Sequence, residues 1–269
     1  MRRVRDRKRE RFAFFIFPAG NGPHPAAVEG RTLFIADGHH RYETALAYYE
    51  SLHAHAAPPS GADAPDDAHA PAAHVMAFLA AFEDPGMVIL PTHREIVRAG
   101  GASVDAFGRE LEKRFKVERI AAPVGDAGAL ARLRAIPYAE NAFVIALKGH
   151  RELWIIRRPV VHSTRGSVTE GLDVSVLHSV ILGEALAAAG GSEPDVAYSP
   201  DALPLFARVH AGDADAAIFM RPMLAQQMEA ACLAGELLPQ KSTYFYPKLL
   251  TGLVFHALDG ATHSVSSPK

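Results

Sequence analysis

Apolar residues recur along the chain in patterns that change from one segment to the next, and the first clear change lies near residue 37. Thr32–Ala36 is short, apolar and rich in β-forming residues, which predicts a buried strand. Beyond Gly38 the apolar residues recur every three or four positions, and this spacing predicts a helix that packs on the sheet. The residues of this stripe are Tyr42, Ala45, Leu46, Tyr49 and Leu52. The pattern therefore predicts a strand, a tight turn at Asp37-Gly38 and a helix.

Predicted strands and helices alternate through the rest of the chain. Val75–Phe82 and Met87–Leu90 are typical of two strands joined by a turn. Ala142–Leu147 and Leu153–Ile156 flank Lys148-Gly149-His150-Arg151 and predict a hairpin. The other predicted elements are the strands Phe12–Pro18, Val196–Tyr198 and Ala216–Met220 and the helices Val104–Phe115, Asp201–His210, Leu224–Ala234 and one that Asp173 or Ser175 would cap. This alternation predicts an α+β or mixed α/β fold without internal repeats.

Composition indicates how the chain is organised. Its 269 residues, 49% hydrophobic and 22% charged, are ordinary for a globular protein with one large or two modest domains. We expect a basic disordered start at 1–12, a single region at 13–258 and a tail at 259–269. Within that region, residues 53–73 are rich in Ala, Pro, Asp and Gly and predict a flexible insertion. Two subdomains, if present, would divide near 160–190.

Charge and cysteine content exclude several classes of function. The net charge of −2 argues against nucleic-acid binding by the chain as a whole. The basic start at 1–12 is either an arm that binds nucleic acid or a disordered or frameshifted end. No apolar run reaches the about 18 residues that a membrane span needs. Cys232 is the single cysteine, so the chain has no disulfide framework, and we expect a core residue in a cytoplasmic protein.

The start of the first predicted helix has the chemistry of an anion site. His39, His40 and Arg41 can carry positive charge where a helix N-terminus offers unpaired N–H groups and about half a positive charge. Gly38 lets the chain reverse sharply, and Asp37 is a natural N-cap. These residues together suit a phosphate. In the alternative, Asp37 only caps the helix, Arg41 pairs with a glutamate of its own helix, and the histidines are solvated.

Pro239–Lys248 is a second stretch that is dense in hydrogen-bond donors. Lys241 and Lys248 can neutralise a phosphate or carboxylate, and Ser242 and Thr243 can bind a phosphate oxygen or a metal-bound water. We expect this stretch to fold beside the start of the first helix. In the alternative, it is a loop whose aromatic residues pack on the core while its polar groups face water.

Other histidines give weaker signals. His93 and Arg94 follow a predicted strand directly, so they are candidate ligand contacts or else a solvated strand end. His178, on a predicted helix, is more typical of a structural histidine than of a ligand. His39, His40 and His93 could be imagined as a zinc set, but adjacent histidines at one helix start point apart, so we predict no metal site formed by these histidines.

Two long motifs resemble those of the family known as domain of unknown function 1015. The first is Phe34–Ala45, which contains Asp-Gly-His-His-Arg, and the second is Leu238–Leu253, which contains Gln-Lys-Ser-Thr-Tyr. Three shorter stretches between them are also similar to the family: Val75–Leu79, Asp84–Arg94 and Leu172–His178. The resemblance runs in order from about residue 31 to residue 258.

That family resembles, more distantly, the ParB/sulfiredoxin superfamily, which includes ADP-dependent free serine kinases. In that superfamily a Gly-x-x-Arg turn at a helix start holds nucleotide phosphates, and Gly38 to Arg41 match this pattern. The resemblance implies a ParB/sulfiredoxin-like nucleotide-binding element joined to further mixed α/β structure. Sulfiredoxins carry a reactive cysteine where His39 stands, so their chemistry is not expected here.

The resemblance also implies a function. It suggests a nucleotide-dependent phosphotransferase that uses ADP or ATP with Mg²⁺ and acts on a small hydroxylated metabolite such as serine. Asp37 and His40 are the predicted catalytic residues, with Asp37 orienting the turn or helping to hold Mg²⁺. The predicted nucleotide contacts are Gly38, His39, His40, Arg41, His93, Arg94, Lys241, Ser242 and Thr243.

One departure from the family leaves an alternative open. Family members are usually longer upstream of the Asp-Gly-His-His-Arg turn, and the serine kinases take a catalytic glutamate from that part. No residue of this chain can be assigned to that glutamate. The alternative is therefore a non-catalytic nucleotide-binding regulatory module, or an inactive fragment of a longer protein.

Overall fold

In the computed structural model, the described residues are 14–15, 33–53, 71–80, 86, 88–120, 125–161, 166–248, 250, 252 and 255–258. The chain divides into two units, residues 1–84 with 248–269, and residues 85–247. The division predicted near 160–190 falls inside the second unit. The predicted start at 1–12, the tail at 259–269 and residues 54–70 of the predicted insertion lie outside the described residues.

The first unit contains the helix that the apolar stripe predicts. Helix α1 (His39–His53) is confirmed, and the stripe residues Tyr42 to Tyr49 are half-buried. Phe34, in the predicted strand before it, forms only an isolated bridge. Strand β1 (Phe14–Phe15) pairs in parallel with β2 (Val75–Met76), and a single 3₁₀ turn precedes β2. The helix is therefore the regular element that presents this unit's charged residues.

The hairpin predicted from the two apolar runs around residue 85 is wrong. Strand β2 pairs with β1, whereas β3 (Val88–Leu90) pairs antiparallel with β10 (Tyr244–Tyr246). Apolar patterns identify strands, but they do not encode which distant strand will be the partner. Two strands that are close in sequence therefore do not pair with each other here.

A six-stranded antiparallel sheet forms the centre of the second unit. Its order is β5-β7-β6-β9-β4-β8, and every pairing is antiparallel. The strands are β4 (His93–Arg98), β5 (Lys116–Ile120), β6 (Glu140–Leu147), β7 (Leu153–Pro159), β8 (Asp195–Ser199) and β9 (Ala216–Met220). The β6–β7 hairpin is confirmed, with Val144 opposite Ile155. The central strand β6 is buried on both faces, which explains why its sequence is almost continuously apolar.

Helices cover both faces of this sheet. They are α2 (Val104–Arg114), α3 (Gly125–Ala135), α4 (Asp173–Val176), a wider π-helical stretch at Leu177–Ala185, α5 (Leu186–Ala188), α6 (Leu203–Ala211) and α7 (Ala225–Ala234). Phe206 of α6 stacks on Phe219 at 3.7 Å on one face. On the other face, Gly108 of α2 lies so close to Trp154 that a Cβ would come within 2.8 Å of the ring.

This arrangement confirms the mixed α/β fold. Trp154 and Cys232 are core residues, as predicted, with 3% and 2% of their surface exposed. Within the described residues, no helix has both the length and the apolar character needed to cross a membrane.

Candidate nucleotide-binding site

Gly38 shapes the start of α1. Its φ is +82°, in the left-handed region that favours glycine, and its carbonyl accepts a 3.0 Å hydrogen bond from the Tyr42 amide. Gly38, and not Asp37, therefore occupies the cap position, because the helix begins at His39. The Arg41 guanidinium lies over this glycine, and a Cβ at residue 38 would be 2.9 Å from Nη2. A side chain at this position would both strain the turn and displace Arg41.

Two cations share the carboxylate of Asp37. Its Oδ2 lies 3.2 Å from Lys248 Nζ and 3.7 Å from Arg41 Nη2. Partial burial alone would raise the pKa of Asp37, but Lys248, the Gly38 amide and Arg41 together hold this pKa below its ordinary value. We call Asp37, Gly38, Arg41 and Lys248 the Asp37 cluster. Lys248 brings the end of the second sequence motif into contact with the first motif.

The side chains at this helix start are open to solvent. His40 is fully exposed and lies 3.7 Å from Glu43, and the exposed fractions of Arg41 and Lys248 are 75% and 45%. Exposed ion pairs of this kind contribute about 0–1 kcal/mol each. The first turn of α1 contains no acidic residue that would compete for its free amides. The two cations can therefore turn toward another anion at low cost.

His39 differs from its neighbour His40. It is half-buried, and its Nε2 is shielded from solvent without a hydrogen-bond partner among the described residues. Burial lowers the pKa of His39, so the ring is neutral at pH 7. The fixed positive charge at the helix start therefore comes from Arg41 and Lys248.

His93 of the second unit is a core residue. Only 4% of its surface is exposed, and its Nδ1 accepts a 3.3 Å hydrogen bond from the Met220 amide. Its ring centroid lies 5.3 Å from that of Phe219. Burial, with a smaller effect of the Arg94 charge, lowers the pKa of His93 to about 4. The imidazole is therefore neutral and already engaged by the protein backbone.

Arg94, the next residue, is completely buried. Its Nη1 donates to the Thr92 carbonyl and to Met220 Sδ, at 3.3 Å for the sulfur. Its Nη2 lies 3.2 Å from His178 Nε2 and donates to the carbonyls of Gln240 and Lys241 at 3.3 and 3.1 Å. Burial lowers the pKa of Arg94 to about 10, so the guanidinium keeps its charge at neutral pH.

The turn at Gln240–Lys241 exposes one side chain and buries another. Lys241 has a φ of +57° and an exposed side chain. Ser242 is buried and donates to the Pro239 carbonyl, while Thr243 is half-buried. The structure therefore brings Arg94 together with the backbone of Lys241 inside the second unit. The expectation that this turn and the start of α1 form one pocket stays a prediction.

The sequence analysis missed a buried network that joins strands and helix. Arg221 is 2% exposed, and its Nε and Nη2 donate to Asp173 Oδ2 at 3.0 and 2.8 Å. Asn141 donates to the other carboxylate oxygen of Asp173 at 3.0 Å. Burial raises the pKa of Asp173, although Arg221 and Asn141 act in the opposite direction. Asp173 was predicted only as a possible helix cap, and no sequence pattern indicated its arginine partner.

A second missed carboxylate ties a loop to the end of α7. Glu236 accepts hydrogen bonds from the hydroxyls of Ser167 and Thr169 at 2.7 and 2.6 Å, and from the Val168 amide at 3.0 Å. These donors, led by Thr169, lower the pKa of Glu236 to about 2. Because every donor comes from the protein, this carboxylate has a structural role.

Asp37 is the candidate metal ligand at this helix start. Across the described part of the chain, no three His, Cys, Asp or Glu side chains are grouped as ligands for a metal ion. Mg²⁺ usually binds proteins through one or two carboxylates together with substrate phosphates. The ionised carboxylate of Asp37 fits that pattern only if a phosphate completes the coordination.

A sequence profile of the family described as protein of unknown function (DUF1015) matches residues 24–175, which is more than half of the chain. This match covers the first motif and α1, and it confirms the resemblance that the motifs indicated. No curated protein matches the chain significantly.

Solved structures that the chain matches include a conserved hypothetical protein from Pyrococcus furiosus. It is 17% identical with a TM-score of 0.43, over 81% of this chain and 72% of that protein. A glutamate-to-glutamine variant of a free serine kinase in complex with AMP is 16% identical, with a TM-score of 0.43, over 81% and 70% of the two chains. A free serine kinase in complex with AMP is 15% identical, with a TM-score of 0.39, over 87% and 72%.

Proposed function

The chain belongs to the DUF1015 family, and from that premise we propose that it binds a nucleotide and transfers a phosphoryl group to a small hydroxylated metabolite. The observation that carries this proposal is the Asp37 cluster, in which two exposed cations share one carboxylate at the start of a helix. The structural neighbours have TM-scores below 0.5, so the proposal rests on the residues of this chain and on the motif that Gly38 to Arg41 match.

Phosphate oxygens would replace Asp37 as the partner of both cations. The planar Arg41 guanidinium can grip two phosphate oxygens, and Lys248 supplies a compact point charge. The exposed ion pairs with Asp37 contribute only about 0–1 kcal/mol each, so their loss costs little. The first amides of α1 add further donors and the favourable end of the helix dipole. A phosphate that contacts both cations and these amides at once would therefore compete well with the single carboxylate.

The chemistry would follow from this placement. An acceptor hydroxyl attacks the terminal phosphorus, the bond from that phosphorus to its bridging oxygen breaks, and the shortened nucleotide leaves. Arg41 and Lys248 neutralise the charge on the phosphoryl oxygens, which is the main requirement of phosphoryl transfer. His40, fully exposed beside the helix start, is the proposed acceptor of the hydroxyl proton. Asp37 would hold Mg²⁺ with the phosphates.

The second candidate is a nucleotide-binding module that performs no transfer. The pKa of Asp37 is lowered by its two cations and the Gly38 amide, which makes this carboxylate a weak base. A module of this kind would bind or hydrolyse the nucleotide without releasing a phosphorylated metabolite. Product analysis after incubation with nucleotide and a set of hydroxylated acceptors, serine first, separates the two candidates.

Thermal unfolding against ADP, ATP, CTP and GTP with Mg²⁺ tests the binding step. A ligand at about 100 times its Kd stabilises the folded chain by about 2.7 kcal/mol, which gives a clear rise in Tm. We expect one nucleotide to raise the Tm of the wild type and to have no effect on Arg41→Ala. Arg132 on α3, half-exposed and paired with Glu118, supplies the matched control Arg132→Ala, which should respond as the wild type does. An equal nucleotide response in Arg41→Ala would refute the phosphate role of Arg41.

The predicted contacts of the second unit need separate variants. Lys241→Ala and Thr243→Ala change residues that are exposed and half-buried, so both should fold. We expect a weaker nucleotide Kd in each if they contact the nucleotide. An unchanged Kd in both would remove this turn from the proposed site and leave the Asp37 cluster as its basis.

A further inference from the structure

Among the described residues, the partners of the buried cation Arg94 are all uncharged groups. The guanidinium is 0% exposed, and the hydrogen bonds found for it in the described residues go to three carbonyls, a thioether and an imidazole. Its Nε has no partner among those residues. A buried charge without a counterion is unfavourable, so its position calls for a reason beyond packing.

Two of these hydrogen bonds converge on one turn. Nη2 donates to the carbonyls of consecutive residues, Gln240 at 3.3 Å and Lys241 at 3.1 Å. Lys241 has a φ of +57°, a conformation that residues other than glycine adopt rarely. The turn therefore needs an external contact to hold its shape. The carbonyl pair on Arg94 is such a contact, and the bond from Ser242 to the Pro239 carbonyl closes the same turn.

The other end of the guanidinium is fixed to the sheet. Arg94 lies on β4, and its Nη1 reaches Met220 at the end of the neighbouring strand β9. Nη2 also contacts His178 Nε2 on the π-helical stretch at 3.2 Å. A guanidinium can only donate, so Nε2 must carry a lone pair and the His178 ring is neutral in this contact. One side chain thus links the sheet, the helix and the turn.

We propose that Arg94 is a positioning residue that holds the Gln240–Lys241 turn in the conformation that presents the exposed Lys241 side chain. That Lys241 contacts a nucleotide rests on the proposed function, whereas the role of Arg94 in fixing the turn does not. Arg94 itself touches no ligand in this proposal. It acts through the backbone of the turn, with its charge strengthening the bonds to two carbonyl dipoles.

Limited digestion with trypsin tests the hold directly. Trypsin cleaves after exposed lysines in mobile backbone, and the Lys241 side chain is exposed while its turn is fixed. Mass spectrometry measures the rate of cleavage after Lys241. In Arg94→Met we expect this rate to be roughly tenfold higher than in the wild type, or more, because loss of one hydrogen bond to a charged group gives a change of this size. Arg94→Lys keeps the positive charge but loses the planar guanidinium that reaches several acceptors at once. Its rate of cleavage after Lys241 should therefore lie between those of the wild type and Arg94→Met.

Arg221 supplies the matched control. It is as buried as Arg94, but its carbonyl partners are Ile136, Pro137 and Glu140, outside the turn. Arg221→Lys should lower the Tm without faster cleavage after Lys241, when each variant is digested equally far below its own Tm. Equal acceleration in Arg221→Lys and Arg94→Lys would overturn the proposal, because the effect would then be general destabilisation. If Arg94→Met does not fold, the two lysine variants decide the question.

Nucleotide affinity, measured on the same variants, separates this proposal from the proposed function. Faster cleavage with a weaker nucleotide Kd supports both. Faster cleavage with an unchanged Kd keeps Arg94 as the residue that positions the turn, and removes Lys241 from the nucleotide contacts. Unchanged cleavage in Arg94→Met overturns the positioning role, whatever the nucleotide does.

Discussion

Arg94 and Arg221 are both buried in the second unit and both donate to backbone carbonyls, yet they meet opposite electrostatic surroundings. Arg221 faces the carboxylate of Asp173, lies over the Tyr138 ring at 4.2 Å, and has hydrogen bonds from Nε, Nη1 and Nη2. Arg94 has carbonyls, Met220, His178 and the Tyr198 ring, whose centroid lies 5.3 Å from its Cζ, but among the described residues it has no carboxylate partner and its Nε has no hydrogen bond.

The difference teaches how the same side chain serves two purposes. A buried ion pair in which every donor has an acceptor stabilises the fold, and removal of one partner leaves the charge of the other uncompensated. When a buried arginine has only neutral acceptors, its substitution removes the charge and leaves no opposite charge unpaired. Variants at the two positions should therefore differ in how much stability they lose.

The largest effect is expected at Asp173. Asp173→Ala leaves the buried Arg221 charge without its carboxylate, and such losses cost about 3–5 kcal/mol. Urea unfolding measures the change in the free energy of unfolding. Asp173→Asn, which keeps an acceptor for Arg221, should lose less than Asp173→Ala. If Asp173→Ala lowered the free energy of unfolding by well under 1 kcal/mol, the ion pair would not be important for the stability of the fold.

Acid should weaken the region around Arg94 next. The pKa of His93 falls from its ordinary 6.5 to about 4 on burial, so between these values the unfolded chain binds a proton that the folded chain does not. The contribution of His93 to stability is therefore complete above pH 6.5 and is lost as the pH falls toward 4, by on the order of 3 kcal/mol.

Two glutamine variants check this assignment. His93→Gln should flatten the dependence of the free energy of unfolding on pH between 6.5 and 4. His210, which is 45% exposed on α6, supplies the control His210→Gln, which should keep the wild-type slope. If His93→Gln keeps that slope as well, another group accounts for the acid sensitivity.

Removal of Arg94 should cost less stability than removal of Asp173. Arg94→Met gives up hydrogen bonds that contribute about 1.5–3 kcal/mol each, but it also relieves the desolvation of an unpaired charge. We expect a net loss of roughly 1–3 kcal/mol in urea unfolding, because these two effects oppose each other. A loss larger than that of Asp173→Ala would reverse the comparison between the two arginines.

The smallest effect is expected at an exposed arginine. Arg132 and Glu118 lie 3.1 Å apart and are both about half-exposed, and such pairs contribute about 0–1 kcal/mol. Arg132→Ala should therefore unfold at nearly the wild-type urea concentration. A loss above 2 kcal/mol would show that exposure is a poor guide to the value of an arginine in this protein.

Local sequence patterns predicted the elements that depend on local periodicity. The stripe from Tyr42 onward located α1, the hairpin around Gly149 was recovered, and the strand Ala216–Met220 was placed to the residue. Pairing between distant segments was not predictable, because β3 finds its partner only at Tyr244–Tyr246.

The candidate site divides in the same way. Residue types at Gly38 to Arg41 indicated the charged helix start, and its role in binding phosphate stays a prediction. The sequence analysis placed the stretch that ends at Lys248 beside this helix start, but it did not indicate that Lys248 contacts Asp37 itself, or that Arg94 is buried. Burial and long-range contact depend on the folded topology, which residue types alone do not encode.

The first unit is assembled from two separate stretches, 1–84 and 248–269, with the whole second unit between them in sequence. On the ribosome, residues 85–247 are made before Lys248, and domains generally fold as units during synthesis. Asp37 therefore meets its lysine partner only after the whole second unit has been translated. A nascent chain that stalls before residue 248 would have a second unit able to fold but an Asp37 cluster without Lys248.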